Sequence, residues 1–219
     1  MRKLSLATFF FIALSFQSNV FGQPFKLLKD INGGVLYDLA RPVNLIESGG
    51  SIFFRVGYPY ASSKNRGPQE GFWKSDGSDA GTIQIKGLSS IETMETLVKV
   101  NSTFFFTIYN TSTFISELWK SDGSQPGTEL VRTWPASNQS YLYRAHRLTP
   151  VNDILYFTIR TAEEEDELWK SDGTPAGTFA LKSSWYIENL INVNGNLFFT
   201  AAEEAAGAVH ELPLGAGSG

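Results

Sequence analysis

One eleven-residue block occurs three times in this chain. Residues 72–82 read FWKSDGSDAGT, residues 118–128 read LWKSDGSQPGT, and residues 168–178 read LWKSDGTPAGT. Trp73, Trp119 and Trp169 lie 46 and then 50 positions apart. Self-similarity at that period confines the fold to a repeating architecture, in which each copy is one supersecondary unit stacked on its neighbours.

A second element recurs between the blocks. Gly49-Gly50 precedes SIFFRV, Asn101-Ser102 precedes TFFFTI, Asn152-Asp153 precedes ILYFTI, and Asn194-Gly195 precedes NLFFTA. Dipeptides of this kind accept the positive φ of a tight two-residue turn, and apolar runs flank them, so each predicts a hairpin. The unit then has four strands. The hairpin gives a and b, the Leu-Trp-Lys run gives c, and d follows the Gly-Thr pair. Asp76, Asp122 and Asp172 are placed to accept backbone N–H groups just ahead of them in the c–d turn. Gly77, Gly123 and Gly173 supply its positive φ.

Four antiparallel strands per 46–50 residues is the size of a β-propeller blade. Blades pack face to face, so runs such as Thr103 to Ile108 need not alternate. The fold expected is all-β, a propeller of four-stranded blades, with complete repeats at about 43–87, 95–133 and 146–183. A split repeat combines 190–212 with a strand at 25–31, giving four blades if that strand closes the ring. Read by motif alone, Glu211-Leu212-Pro213 puts proline where the tryptophan belongs, which favours a segment of a larger array. Residues 213–219 read as a flexible tail.

The first 22 residues have the order of a signal peptide. Arg2 and Lys3 precede a thirteen-residue uncharged run from Leu4 to Phe16, and Val20 and Gly22 suit cleavage before Gln23. A membrane span needs roughly 20 apolar residues, so no span is expected in the mature chain. Removing the leader takes the net charge from −4 to −6, which repels phosphate backbones and excludes nucleic acid as a partner. The chain has no cysteine, so its core alone must hold it. Residues 23–212 are expected to form the exported repeat domain, secreted or at the cell surface.

The block resembles the ELWxSDGT repeats of large exported proteins of Gram-negative bacteria. Glu117-Leu118-Trp119-Lys120-Ser121-Asp122-Gly123 and Glu167-Leu168-Trp169-Lys170-Ser171-Asp172-Gly173 carry the likeness, while Gly71-Phe72-Trp73 departs at its first two positions. The resemblance implies an extracellular or surface array of propeller type. It brings no assigned activity, cofactor or catalytic residue.

Candidate sites are few. Calcium needs about six oxygens in one place, whereas each motif offers one aspartate on its own unit, so these read as turn residues rather than metal ligands. Glu163 to Asp166 is an acidic run between b and c and reads as a solvated loop. His146 and His210 lie on different units without the ligand set zinc requires, so no metal or other cofactor is expected. No G-x-S-x-G elbow or recognisable triad is present, and no catalytic residue is assigned. The b–c connection of the first unit is the longest, and its Tyr58, Tyr60, Lys64 and Arg66 are candidates for a binding surface. These observations predict a binding or scaffolding module, not an enzyme, with a protein or polysaccharide as partner. A carbohydrate-active enzyme on the same fold and a spacer within a longer surface protein are the alternatives.

Overall fold

The computed structural model describes residues 41–57, 70–136, 142–203 and 206–212. The signal segment, the strand expected at 25–31, the tail, and Tyr58, Tyr60, Lys64 and Arg66 lie outside the described residues. Those residues form strands, turns and bends without a helix, hence none able to cross a membrane as one.

Two compact units divide the chain, residues 1–90 and 91–219. In the first, β1 (Arg41–Ser48), β2 (Ser51–Gly57), β3 (Gly71–Ser75) and β4 (Ile83–Gly87) form one antiparallel sheet in that order. The second unit holds three sheets. β5 (Glu92–Val100), β6 (Thr103–Asn110), β7 (Ser116–Ser121) and β8 (Thr128–Trp134) make the first of them. β9 (Ala145–Val151), β10 (Ile154–Arg160), β11 (Asp166–Ser171) and β12 (Phe179–Ser184) make the next. β13 (Tyr186–Val193), β14 (Asn196–Glu203) and β15 (Ala206–Leu212) make a three-stranded sheet. Within each sheet every strand pairs antiparallel with its neighbour in sequence.

Local chemistry accounts for the turns. Asn101, Asn152 and Asn194 have φ of 52°, 51° and 51°, the left-handed conformation that asparagine tolerates better than most side chains. In the c–d turn, Asp122 Oδ1 accepts both the backbone N–H and the hydroxyl of Ser124, at 2.8 and 2.7 Å. Ser124 Oγ accepts Gly127 N–H at 3.1 Å, and Ser121 Oγ accepts Gly123 N–H at 3.0 Å. Asp76 with Ser78 and Asp172 with Thr174 repeat the arrangement. A Cβ on Gly127 would lie 2.2 Å from the Asp122 carboxyl, so the second glycine is needed for space rather than for φ.

The Leu-Trp pair serves the packing. Trp119 stands opposite Phe106 and Trp169 opposite Phe157, with rings nearly parallel at 6.4 and 6.2 Å. The indole N–H of each donates to the glutamate two residues earlier on the same strand face, Glu117 or Glu167, at 2.8 Å. Gly71 takes that glutamate's place in β3. A Cβ there would come 2.0 Å from the Lys86 carbonyl oxygen.

Both faces of β10 are buried. Leu155, Phe157 and Ile159 pack with Phe105, Leu118 and Trp134 of the preceding sheet, while Tyr156 packs with Ile187, Leu197 and Phe199 of the following one. Apolar side chains on both faces explain why the b strands read as continuous hydrophobic runs. Within this unit β9 runs beside both β5 and β13, so the first strands of successive sheets are neighbours.

In β15 the register differs from the motif reading. His210 pairs with Phe199, the place Trp169 takes opposite Phe157, so histidine and not Pro213 occupies the tryptophan position. The ladder runs from Leu197 opposite Leu212 to Glu203 opposite Ala206, and that register sets the offset.

Candidate functional site

Every first strand carries a β-bulge. The pairing shifts between Val43 and Ile46 in β1, Met94 and Leu97 in β5, His146 and Thr149 in β9, and Glu188 and Ile191 in β13. Asn44, Arg147 and Asn189 sit in these bulges with φ of 52°, 54° and 56°. Each reaches the residue eleven positions on, in the adjacent b strand. Asn44 Oδ1 accepts Arg55 Nε at 2.9 Å, Arg147 Nη1 donates to Thr158 Oγ1 at 3.4 Å, and Asn189 Nδ2 donates to Thr200 Oγ1 at 3.1 Å. Thr96 holds the corresponding position in β5. Asparagine suits this conformation and arginine does not, so β9 breaks the pattern at the bulge. One residue earlier, where β1, β5 and β13 carry Val43, Glu95 and Glu188, β9 carries His146.

These two residues open onto a cleft of about 320 Å³ lined by His146, Arg147, Thr158, Arg160, Asp166, Tyr186 and Glu188. Adjacent placement of β9 and β13 creates it, bringing together residues up to 42 positions apart in sequence. Its floor is tied by a buried carboxylate. Asp166 Oδ2 accepts the Ile187 N–H at 2.9 Å, and Oδ1 pairs with Arg160 Nη1 at 3.3 Å. Arg160 also donates to the Trp185 carbonyl at 2.6 Å and lies 5.0 Å over the Tyr186 ring. Arg147 Nη2 pairs with Glu188 Oε1 at 3.0 Å, both side chains remaining substantially exposed.

Burial pushes the pKa of His146 down, and the neighbouring Arg144 and Arg147 push the same way against the opposing pull of Asp166. The imidazole is therefore neutral at pH 7 and able to accept a proton. Arg144 ion-pairs with Glu95 and stacks 4.1 Å over the Tyr109 ring, at the joint with the preceding sheet. The site thus offers a neutral base, two guanidinium groups, two carboxylates and an exposed aromatic ring.

Two sequence readings change here. The run Glu163 to Asp166 is not a uniform solvated loop, because Asp166 begins β11 and is only 6% exposed. Its carboxylate is drawn inward by the Ile187 amide and Arg160. In sequence His146 has meaning only as a metal ligand, whereas the structure sets it beside basic side chains. Among the described residues no group of three or more His, Cys, Asp or Glu is placed to hold a metal ion. The motif aspartates spend Oδ1 on their own turns, far apart in sequence, and hydrogen bonding to Ser78, Ser124 and Thr174 holds their carboxyls below the usual range. The signal that leads to the cleft is a comparison of the a strands position by position, not of loop lengths.

No family model matches the chain, and no curated protein does. Among solved structures, it is similar to an oligogalacturonate lyase in complex with manganese, at 12% identity and a TM-score of 0.50. That likeness covers 80% of this chain and 48% of the lyase, so the chain spans about half the length of that protein. A second similar structure is a GH43 β-xylosidase/α-arabinofuranosidase from a compost microbial metagenome, in complex with xylotriose. It shows 7% identity and a TM-score of 0.28, covering 86% of this chain and 94% of that one. The likeness to the lyase shows a propeller-like all-β fold. It also overturns the expectation that the chain is not an enzyme. That expectation rested on the lack of a catalytic motif in sequence, yet a lyase shares the fold, and here the sheets gather acid–base groups from separate repeats.

Proposed function

We propose that this protein is an exported, propeller-type repeat protein that is carbohydrate-active through the cleft between β9, β10 and β13. The observation that supports this reading most is the double departure from the repeat at His146 and Arg147. A strand position held elsewhere by Val43, Glu95 and Glu188 carries histidine, and a bulge position held by Asn44, Thr96 and Asn189 carries arginine, where the cleft opens. Structural need alone does not ask for arginine in a left-handed conformation. The volume falls at the small end of ligand sites, roughly 300–1,000 Å³, which suits one or two sugar rings. Tyr186 provides a ring face, the guanidinium groups and carboxylates provide partners for hydroxyls, and neutral His146 provides a base. The lyase of similar fold acts on an oligogalacturonate, which agrees with a saccharide as the ligand class. The leader-like segment and the ELWxSDGT likeness support a place outside the cytoplasm, and residues 25–31 are proposed to give the three-stranded sheet its fourth strand.

The test is retention on, and turnover of, a panel of neutral and acidic polysaccharides, scored by affinity electrophoresis and by new chain ends. Wild type is expected to engage one class, and His146→Ala to abolish turnover while the fold survives. A well-folded wild type that neither retains nor cleaves any saccharide would exclude the proposal.

A further inference from the structure

We propose that Arg147 is the carboxylate-binding residue of the cleft, and that the ligand is a uronate-bearing saccharide which displaces Glu188 from it. The inference rests on the saccharide reading above and narrows it to one substrate class. Arg147 takes a backbone conformation that costs an arginine free energy and an asparagine very little, and asparagine holds the same bulge in β1 and β13. What arginine adds is the guanidinium, which presents a planar fork of donors matched to a carboxylate. Its recorded partners are Thr158 Oγ1 at 3.4 Å and Glu188 Oε1 at 3.0 Å, so much of the fork is uncommitted among the described residues.

The Glu188 partner behaves as a placeholder. Its side chain is 52% exposed and that of Arg147 39%, and a pair so open to water is held weakly enough to exchange. Arg160 contrasts with it, since that guanidinium is bound by the buried Asp166 and by the Trp185 carbonyl. Of the two arginines lining the cleft, only Arg147 can change partners without opening the joint between sheets. An incoming carboxylate would replace one anion by another on the same fork, while the sugar ring occupies the space beside Tyr186 and His146.

The experiment is isothermal titration of the full chain with trigalacturonate, its methyl ester and a neutral galactose trisaccharide. Arg147→Asn restores the residue that the bulges of β1 and β13 use, so it is expected to fold with an unchanged or raised Tm. It should weaken trigalacturonate by about tenfold or more, the weight of one charge-assisted contact, and leave the ester unaffected. Glu188→Gln should tighten trigalacturonate severalfold by removing the competing anion, a gain that a purely structural ion pair would not give. Equal binding of trigalacturonate by wild type and Arg147→Asn would overturn the assignment. Binding of only the neutral trisaccharide by wild type would also overturn it, while leaving the cleft a saccharide site. Failure of all three saccharides would remove both.

Discussion

At the scale of single residues, the c–d turn shows how little sequence is needed to fix a bend. Ser121, Asp122, Gly123, Ser124, Gly127 and Thr128 each have a separate task, and Ser121 and Thr128 close the ring with their hydroxyls 2.8 Å apart. Asp122→Ala is expected to lower Tm by roughly 2–4 °C, the loss of about one net hydrogen bond in a domain of this size. Gly127→Ala should lower it further, since its Cβ and the Asp122 carboxyl compete for one volume. The same aspartates predict a pH effect. Their folded pKa values lie below the unfolded value of about 3.9, so their stabilisation is complete above that pH and lost as pH falls through the folded values. Thermal melts between pH 5 and 2, as rough limits, should show a steeper acid loss in wild type than in Asp122→Asn. Chelator at neutral pH should leave Tm where it is, and a drop reversed by calcium would contradict the turn role.

Between elements, the joints decide what moves together. Asp166 joins β11 to the first residues of β13 through the Ile187 amide and through Arg160. Asp166→Ala removes a buried acceptor and leaves Arg160 without its carboxylate, so a loss of about 2–4 kcal/mol is expected by denaturant titration. Hydrogen exchange should locate the damage, with the Ile187 amide among the most accelerated. A loss spread evenly over all sheets would show that the joint is not the local clasp described here. This scale also marks the limit of what the sequence reveals. Hairpins and c–d turns are legible because the positive φ of Asn101 and Asn152 and the hydrogen bonds of the SDG blocks fix their own turns. The buried Asp166 is not legible, because its partner Ile187 lies 21 residues away on another sheet. His146 and Arg147 gain meaning only when four first strands are aligned on their bulges, and bulges leave no mark in a hydrophobic pattern. The offset of β15 is likewise absent from the motif, since its ladder with β14 and not the likeness of Glu211-Leu212 to the repeat sets the register.

For the whole molecule, the open question of edges becomes an experiment. β15 pairs with β14 alone among the described residues, and an uncovered edge strand invites association. If residues 25–31 supply the fourth strand of that sheet, deleting them should lower Tm sharply and produce oligomers by size-exclusion chromatography. A deletion that melts like wild type and stays monomeric would refute the proposed pairing.

The order of strands within each sheet carries a further consequence. β1 to β4, β5 to β8 and β9 to β12 each pair only with their sequence neighbours, so no ladder waits for a distant part of the chain. Low contact order of this kind favours fast folding, and a chain delivered from its N-terminus can complete one sheet before the next has emerged. Were the chain to pass unfolded through a narrow pore, as the proposed export requires, this topology would impose no delay on assembly at the far side. Within the second unit each finished sheet presents an apolar face to the one that follows, and acts as the template on which the next is laid down.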